Sequence, residues 1–134
     1  MKRLFSMALL AGVLAVGLSC GGKDMTVSGP GDLKVRLVSP NSGLDSAIVF
    51  TITGPAALTS ATPGTGLRLF QQTLGGTSTR FALIGQLNTG ATILTIGVQD
   101  LGALSQYTGA ITGVATPSYA LRILPGGYAL ALTR

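Results

Sequence analysis

Apolar and polar side chains alternate along much of this chain with the two-residue period of half-buried strands. Residues 33–37 read Leu-Lys-Val-Arg-Leu, which turns Leu33, Val35 and Leu37 to one face and Lys34 and Arg36 to the other. The pattern returns over 47–53, with Ile48, Phe50 and Ile52 set against Val49, Thr51 and Thr53. It returns again over 91–99, with Leu94, Ile96 and Val98 set against Thr95, Gly97 and Gln99. Shorter strands are predicted over 58–62, 67–73, 80–84, 107–114 and 128–133. In two of these, Phe81 with Leu83, and Tyr107 with Ile111 and Val114, are the candidate core residues.

Turn clusters separate the segments: Pro40-Asn41-Ser42-Gly43, Gly54-Pro55, Pro63-Gly64-Thr65-Gly66, Gly75-Gly76, Asn88-Thr89-Gly90 and Pro125-Gly126-Gly127. These residue types fix φ or tolerate positive φ, as tight turns require. Leu101 and Leu104 stand three apart within 100–106, a spacing that suits one helical turn or an ordered loop. Seven or eight short strands with no long 3.6-residue period predict an all-β fold, a single antiparallel β-sandwich with very little helix.

The first nineteen residues depart from this pattern. Lys2 and Arg3 precede an uncharged apolar run over 4–18, and Ser19 places a small residue directly before Cys20. Such anatomy is that of a secretory signal. The run is shorter than the ~20 apolar residues of a membrane-crossing helix, and Gly12 and Gly17 weaken it further. Gly17-Leu18-Ser19-Cys20 resembles the lipobox of bacterial lipoproteins. The resemblance implies diacylglycerol on the Cys20 sulfur, cleavage before it, and palmitate or a similar acyl chain on the new amino terminus. The alternative is an ordinary cleavable signal with a chance cysteine. Against that stands the chemistry of a lone cysteine in an exported protein, which has no internal partner for a disulfide.

The expected organisation is therefore a signal peptide over 1–19, lipidated Cys20 with a flexible tether over 20–32, and the sandwich over 33–134. A coil of twelve residues reaches roughly 20 Å, which keeps the domain near the lipid. Gly21 follows the cysteine in place of the Asp that commonly retains lipoproteins at the inner membrane. An outer-membrane destination is expected if the organism is diderm.

Composition narrows the chemistry. The net charge of +5 includes Lys2 and Arg3, which leaves seven basic and four acidic side chains beyond the signal. Lys34 and Arg36 share a strand face, and the other cations are scattered singly along the chain. Without tryptophan or clustered Lys/Arg, the sequence offers no nucleic-acid groove. Mild attraction to anionic headgroups fits it better. Histidine and glutamate are also absent, so general acid-base catalysis is left with Asp24, Asp32, Asp45 and Asp100 as its carboxylates. With no histidine and the sole cysteine expected to carry lipid, an imidazole or thiolate metal site is excluded. The reading is a protein that is not an enzyme, with no cofactor and no metal.

Phe50-Thr51-Ile52-Thr53-Gly54-Pro55-Ala56-Ala57-Leu58 resembles the opening strand of a cohesin-type sandwich, and Gly90-Ala91-Thr92-Ile93-Leu94-Thr95-Ile96 is similar to a later glycine-led strand of that family. The cohesin-like resemblance implies the sandwich architecture; dockerin binding is not carried over, since the Tyr-Asp pair before the proline is missing. Asp45 and Asp100 at strand edges read as turn or cap hydrogen bonding in preference to calcium ligation. Tyr107, Tyr119 and Tyr128 are candidate ligand-binding residues, since aromatic rings stack on sugars. Their plainer role is core packing with the hydroxyl at the rim. Together these features describe a membrane-anchored envelope lipoprotein that contacts lipid through Cys20 and binds an envelope protein or a glycan. The alternative is a small carbohydrate-binding module.

Overall fold

Where the sequence alternates, the chain pairs. The computed structural model describes residues 28–134. The expected signal peptide, Cys20 and the tether as far as residue 27 lie outside the described residues. Eight strands follow: β1 (Gly31–Val38), β2 (Asp45–Thr53), β3 (Ser60–Pro63), β4 (Arg68–Gly75), β5 (Ser78–Leu87), β6 (Thr92–Val98), β7 (Thr108–Ala115) and β8 (Ala129–Thr133). A 3-10 segment, Leu101–Gln106, joins β6 to β7 at the position where the leucine spacing suits a turn. The strands form two four-stranded sheets of order β3-β6-β1-β8 and β4-β5-β2-β7, antiparallel throughout. This is the β-sandwich that the alternation predicts. β1 begins at Gly31, so Gly31 and Asp32, placed by composition in the tether, belong to the sheet.

The two segments of clearest alternation take inner positions, β1 between β6 and β8 and β2 between β5 and β7. Leu33, Val35 and Leu37 from β1 meet Ile48, Phe50 and Ile52 from β2 in one buried cluster, joined by Phe81, Leu83, Leu94, Ile96 and Val98. Each such side chain contributes about 1.5–3 kcal/mol relative to exposure. Phe50 and Phe81 pack with ring centroids 5.6 Å apart at a tilt of 35°, within the favoured range for aromatic pairs. Lys34 and Arg36 are exposed on the opposite face of β1.

Three departures from strict alternation are bulges, and each settles which residues reach the core. Between β1 and β6, Val35 pairs with Leu94 while Arg36 pairs with Thr92, which leaves Ile93 as the additional residue. Ile93 and Leu94 are therefore both buried, although they are neighbours in sequence. In β7, Phe50 faces Ile111 while Val49 faces Gly113, and Thr112 is the extra residue. The bulge lets Ile111 and Val114 both turn inward despite their odd separation. In β5, Ile84 pairs with Ala47 and Leu87 with Asp45. Gly85 lies in that shift at φ 147°, where an added Cβ would strike Leu67 and the Gly66 carbonyl.

β7 and β8 are the edge strands of their sheets on one side of the sandwich. They approach one another there without pairing.

Candidate functional site

The mouth between β7 and β8 is a groove of two chambers that share Gly109 and Leu130. The larger, of about 850 Å³, runs under the 3-10 segment, with Leu101, Leu104, Tyr107, Leu130 and Leu132 as its apolar lining and Ser105, Thr108 and Arg134 as polar members. The smaller, of about 500 Å³, lies against Ile111, Leu124, Pro125 and Tyr128. Gly109 holds the two together: a Cβ there would meet Leu130 and Ile52, so the glycine lets the Leu130 side chain lie across the floor. Arg134 is the one charged residue in the lining of either chamber.

Both walls carry backbone groups turned away from their own sheet. Leu37 exchanges hydrogen bonds with Ala91 and Gly90 on the β6 side of β1. Backbone groups alternate sides along a strand, so Arg36 and Lys34 face β8, opposite Ala131 and Thr133. Leu130 and Leu132 then direct their N–H and C=O outward. On the other wall Gly54 donates to the Thr77 carbonyl on the β5 side. Thr53 and Thr51 accordingly face Thr108 and Ala110, and Gly109 and Ile111 turn outward. Only at its far end is β7 covered, by a bridge between Ala115 and Leu121 and the Arg122 N–H donating to the Val114 carbonyl.

A buried polar network fixes the wall formed by residues 116–128. Asp45 is 1% exposed. One of its oxygens accepts from Arg122 Nε at 2.7 Å and the other from the Tyr128 hydroxyl at 2.5 Å. The same hydroxyl accepts from Asn41 Nδ2 at 2.7 Å. The carboxylate and its hydrogen bond hold the Arg122 guanidinium above its ordinary pKa, against the opposing effect of desolvation. This is the one ion pair among the described residues, and both carboxylate oxygens are satisfied, as a buried charge requires.

The structure gathers two of the three candidate tyrosines at the groove. Tyr107 closes the 3-10 segment and lines the larger chamber, 6% exposed, with its ring packed over Gly54 where no side chain intervenes. Burial raises its phenol pKa, and the negative charge of Asp100 raises it further. Tyr128 lines the smaller chamber, but its hydroxyl is inside the network and not at the rim. Tyr119 is apart from both, 90% exposed at φ 68° on the loop before β8. Cys20 lies outside the described residues. Asp100 does cap: Oδ1 accepts from the Gly102 and Gly29 amides at 2.9 and 3.0 Å. Asp45 does not. It opens β2 as the buried partner of Arg122, a role the sequence reading missed because the two residues are 77 apart. The available signal was a carboxylate opening an apolar strand, since burial there demands a cation.

Comparison with known protein families, characterised proteins and solved structures finds no match to this chain.

Proposed function

We propose that the protein is a membrane-tethered lipoprotein of the bacterial envelope, anchored through acylated Cys20, whose sandwich binds a partner without catalysis. The observation that carries the binding half is the groove. Its lining is mostly leucine and other apolar side chains with free strand edges on both walls, and it holds no carboxylate beside a nucleophile. Such a surface suits recognition by shape and backbone hydrogen bonding. Supporting the anchoring half are the charged start, the apolar run and the small residue before Cys20. Two acyl chains, at about 0.8 kcal/mol per buried methylene, would make attachment nearly permanent. The glycan alternative has less support, because Tyr107 and Tyr128 are buried to within 6% and 8% and offer no open ring face for stacking, while Tyr119, the one exposed ring of the three, stands apart from the groove.

Metabolic labelling with palmitate, followed by membrane fractionation, tests the anchor. The wild-type chain is expected to label and to sediment with membranes. Cys20→Ala is expected to lose the label and to appear soluble or as an unprocessed precursor. Unchanged labelling and fractionation of that variant would remove the proposal.

A further inference from the structure

We infer that the groove receives an extended segment of a partner polypeptide, added as a strand to the free edge of β8, with apolar side chains directed inward and carboxylates on its outward face. The inference deepens the binding-module reading and rests on it.

Three observations define the occupant. First, Leu130 and Leu132 turn their backbone N–H and C=O outward, and β8 pairs with β1 alone. An unpaired edge is a template for another strand, whose backbone supplies the affinity and whose alternate side chains supply the specificity. Second, the inward side of that edge opens on the two chambers, whose leucine and isoleucine side chains lie on either side of Leu130 and suit alternate apolar side chains of one strand. Third, charge selects the outward side. The outward residues of β8 are small, Ala129, Ala131 and Thr133, and beside the last two stand Arg36 and Lys34 on β1. Among the described residues neither cation is in an ion pair. Long acidic side chains of an added strand would lie across these small residues toward Arg36 and Lys34, and a further carboxylate at the groove end would meet Arg134. Opposite charges on neighbouring strands favour such pairing, and like charges oppose it.

The test uses the full-length protein purified in detergent and two fluorescent synthetic peptides, one alternating valine with glutamate and one alternating valine with lysine. The valine–glutamate peptide is expected to bind saturably and about tenfold or more tighter than its lysine counterpart. In the double variant Lys34→Glu with Arg36→Glu, at exposed positions and with an unchanged unfolding midpoint, the preference is expected to reverse. N-methylation of alternate peptide amides, on the set that faces β8, is expected to abolish binding. Equal affinity for both peptides, binding that survives N-methylation of each of the two sets in turn, or no saturable binding overturns the inference. So does concentration-dependent self-association that the peptide disrupts, which would assign the edge to a second copy. Failure here leaves palmitate labelling of Cys20 untouched, whereas failure of the anchor leaves peptide binding intact.

Discussion

Tyr128 joins three parts of the chain at one atom. Its hydroxyl donates to the buried Asp45 carboxylate and accepts from Asn41, which ties β8 to the turn between β1 and β2. Tyr128→Phe removes one of the two donors to a fully enclosed charge and leaves the Asn41 amide without that acceptor. The expected cost is about 2 kcal/mol, the range for hydrogen bonds to charged groups. It should be read in urea unfolding as a lower midpoint at constant slope, and an unchanged midpoint would remove the network from the account. This part of the site was not legible in the sequence. Alternation placed the Tyr128 ring beside the core correctly, but a period of two says nothing about where a hydroxyl finds its partner 83 residues away. Asp100 was legible, because its acceptor role is local: the amide it caps is two residues on.

Strands and their irregularities belong to the next scale up. β1 and β2 could be read because one face of each is buried, which forces alternation onto the residues, and β6 because Leu94, Ile96 and Val98 alternate beyond its bulge. β4 could not be given a register, and the structure shows why: nearly every residue in it is exposed, with Leu69 alone packing on the core. The bulges were equally invisible, since an extra residue changes the partner and not the composition. Thr112 makes a direct test. Its deletion would leave Ile111 opposite Phe50 and Gly113 opposite Val49 in an unbroken ladder, with Ile111 and Val114 two apart on one face and residues 108–110 still opposite Thr53, Ile52 and Thr51. Gly109 and Ile111 would then keep the core face, and the groove floor with them, since Thr112 itself is exposed. We expect the deletion to cost about 1 kcal/mol or less, the scale of a change that leaves the core intact, measured as the loss in unfolding free energy. A loss of about 3 kcal/mol or more, the scale expected if Thr112 were a regular member of the ladder and its removal shifted the register, would contradict the bulge assignment.

Tyr107 links the 3-10 segment to the groove, and it sets a pH dependence. Its folded pKa is raised above the ordinary 10.0 by burial and by the nearby Asp100 charge. The neutral phenol is the form the fold accommodates, so its contribution is complete below pH 10 and is lost as the pH climbs through the raised value. Wild-type stability should therefore fall on the alkaline side, and Tyr107→Phe should flatten that fall while leaving the neutral-pH slope alone. A variant that loses stability with alkali as steeply as wild type would place the titration elsewhere.

At the scale of the whole molecule, the two sheets present different edges to the surroundings. β1 carries cations outward, and the chain enters the sandwich beside the 3-10 segment, where Gly29 is held by Asp100 and Leu101. The larger chamber of the groove adjoins that entry point, since the same segment forms its wall. A domain hung from Cys20 would thus carry its binding edge close to the root of the tether, which shortens to residues 21–28 once Gly29 is held, a length whose coil explores roughly 15 Å. Partners would meet it near the lipid and not at a distance from it. The fold class was fully legible in the sequence, because alternation and turn spacing are global properties. The groove was not, because it depends on which strands become edges, and strand order is set by pairing across the whole chain.

The central claim, a sandwich held at the membrane by lipid on Cys20, is tested most directly by the intact mass of the protein recovered from its native membrane. The account predicts a chain whose first residue is Cys20, with a mass raised by a diacylglycerol on sulfur and an acyl group on the new amino terminus. A chain that begins at another residue, or one that begins at Cys20 with a free thiol, would contradict it.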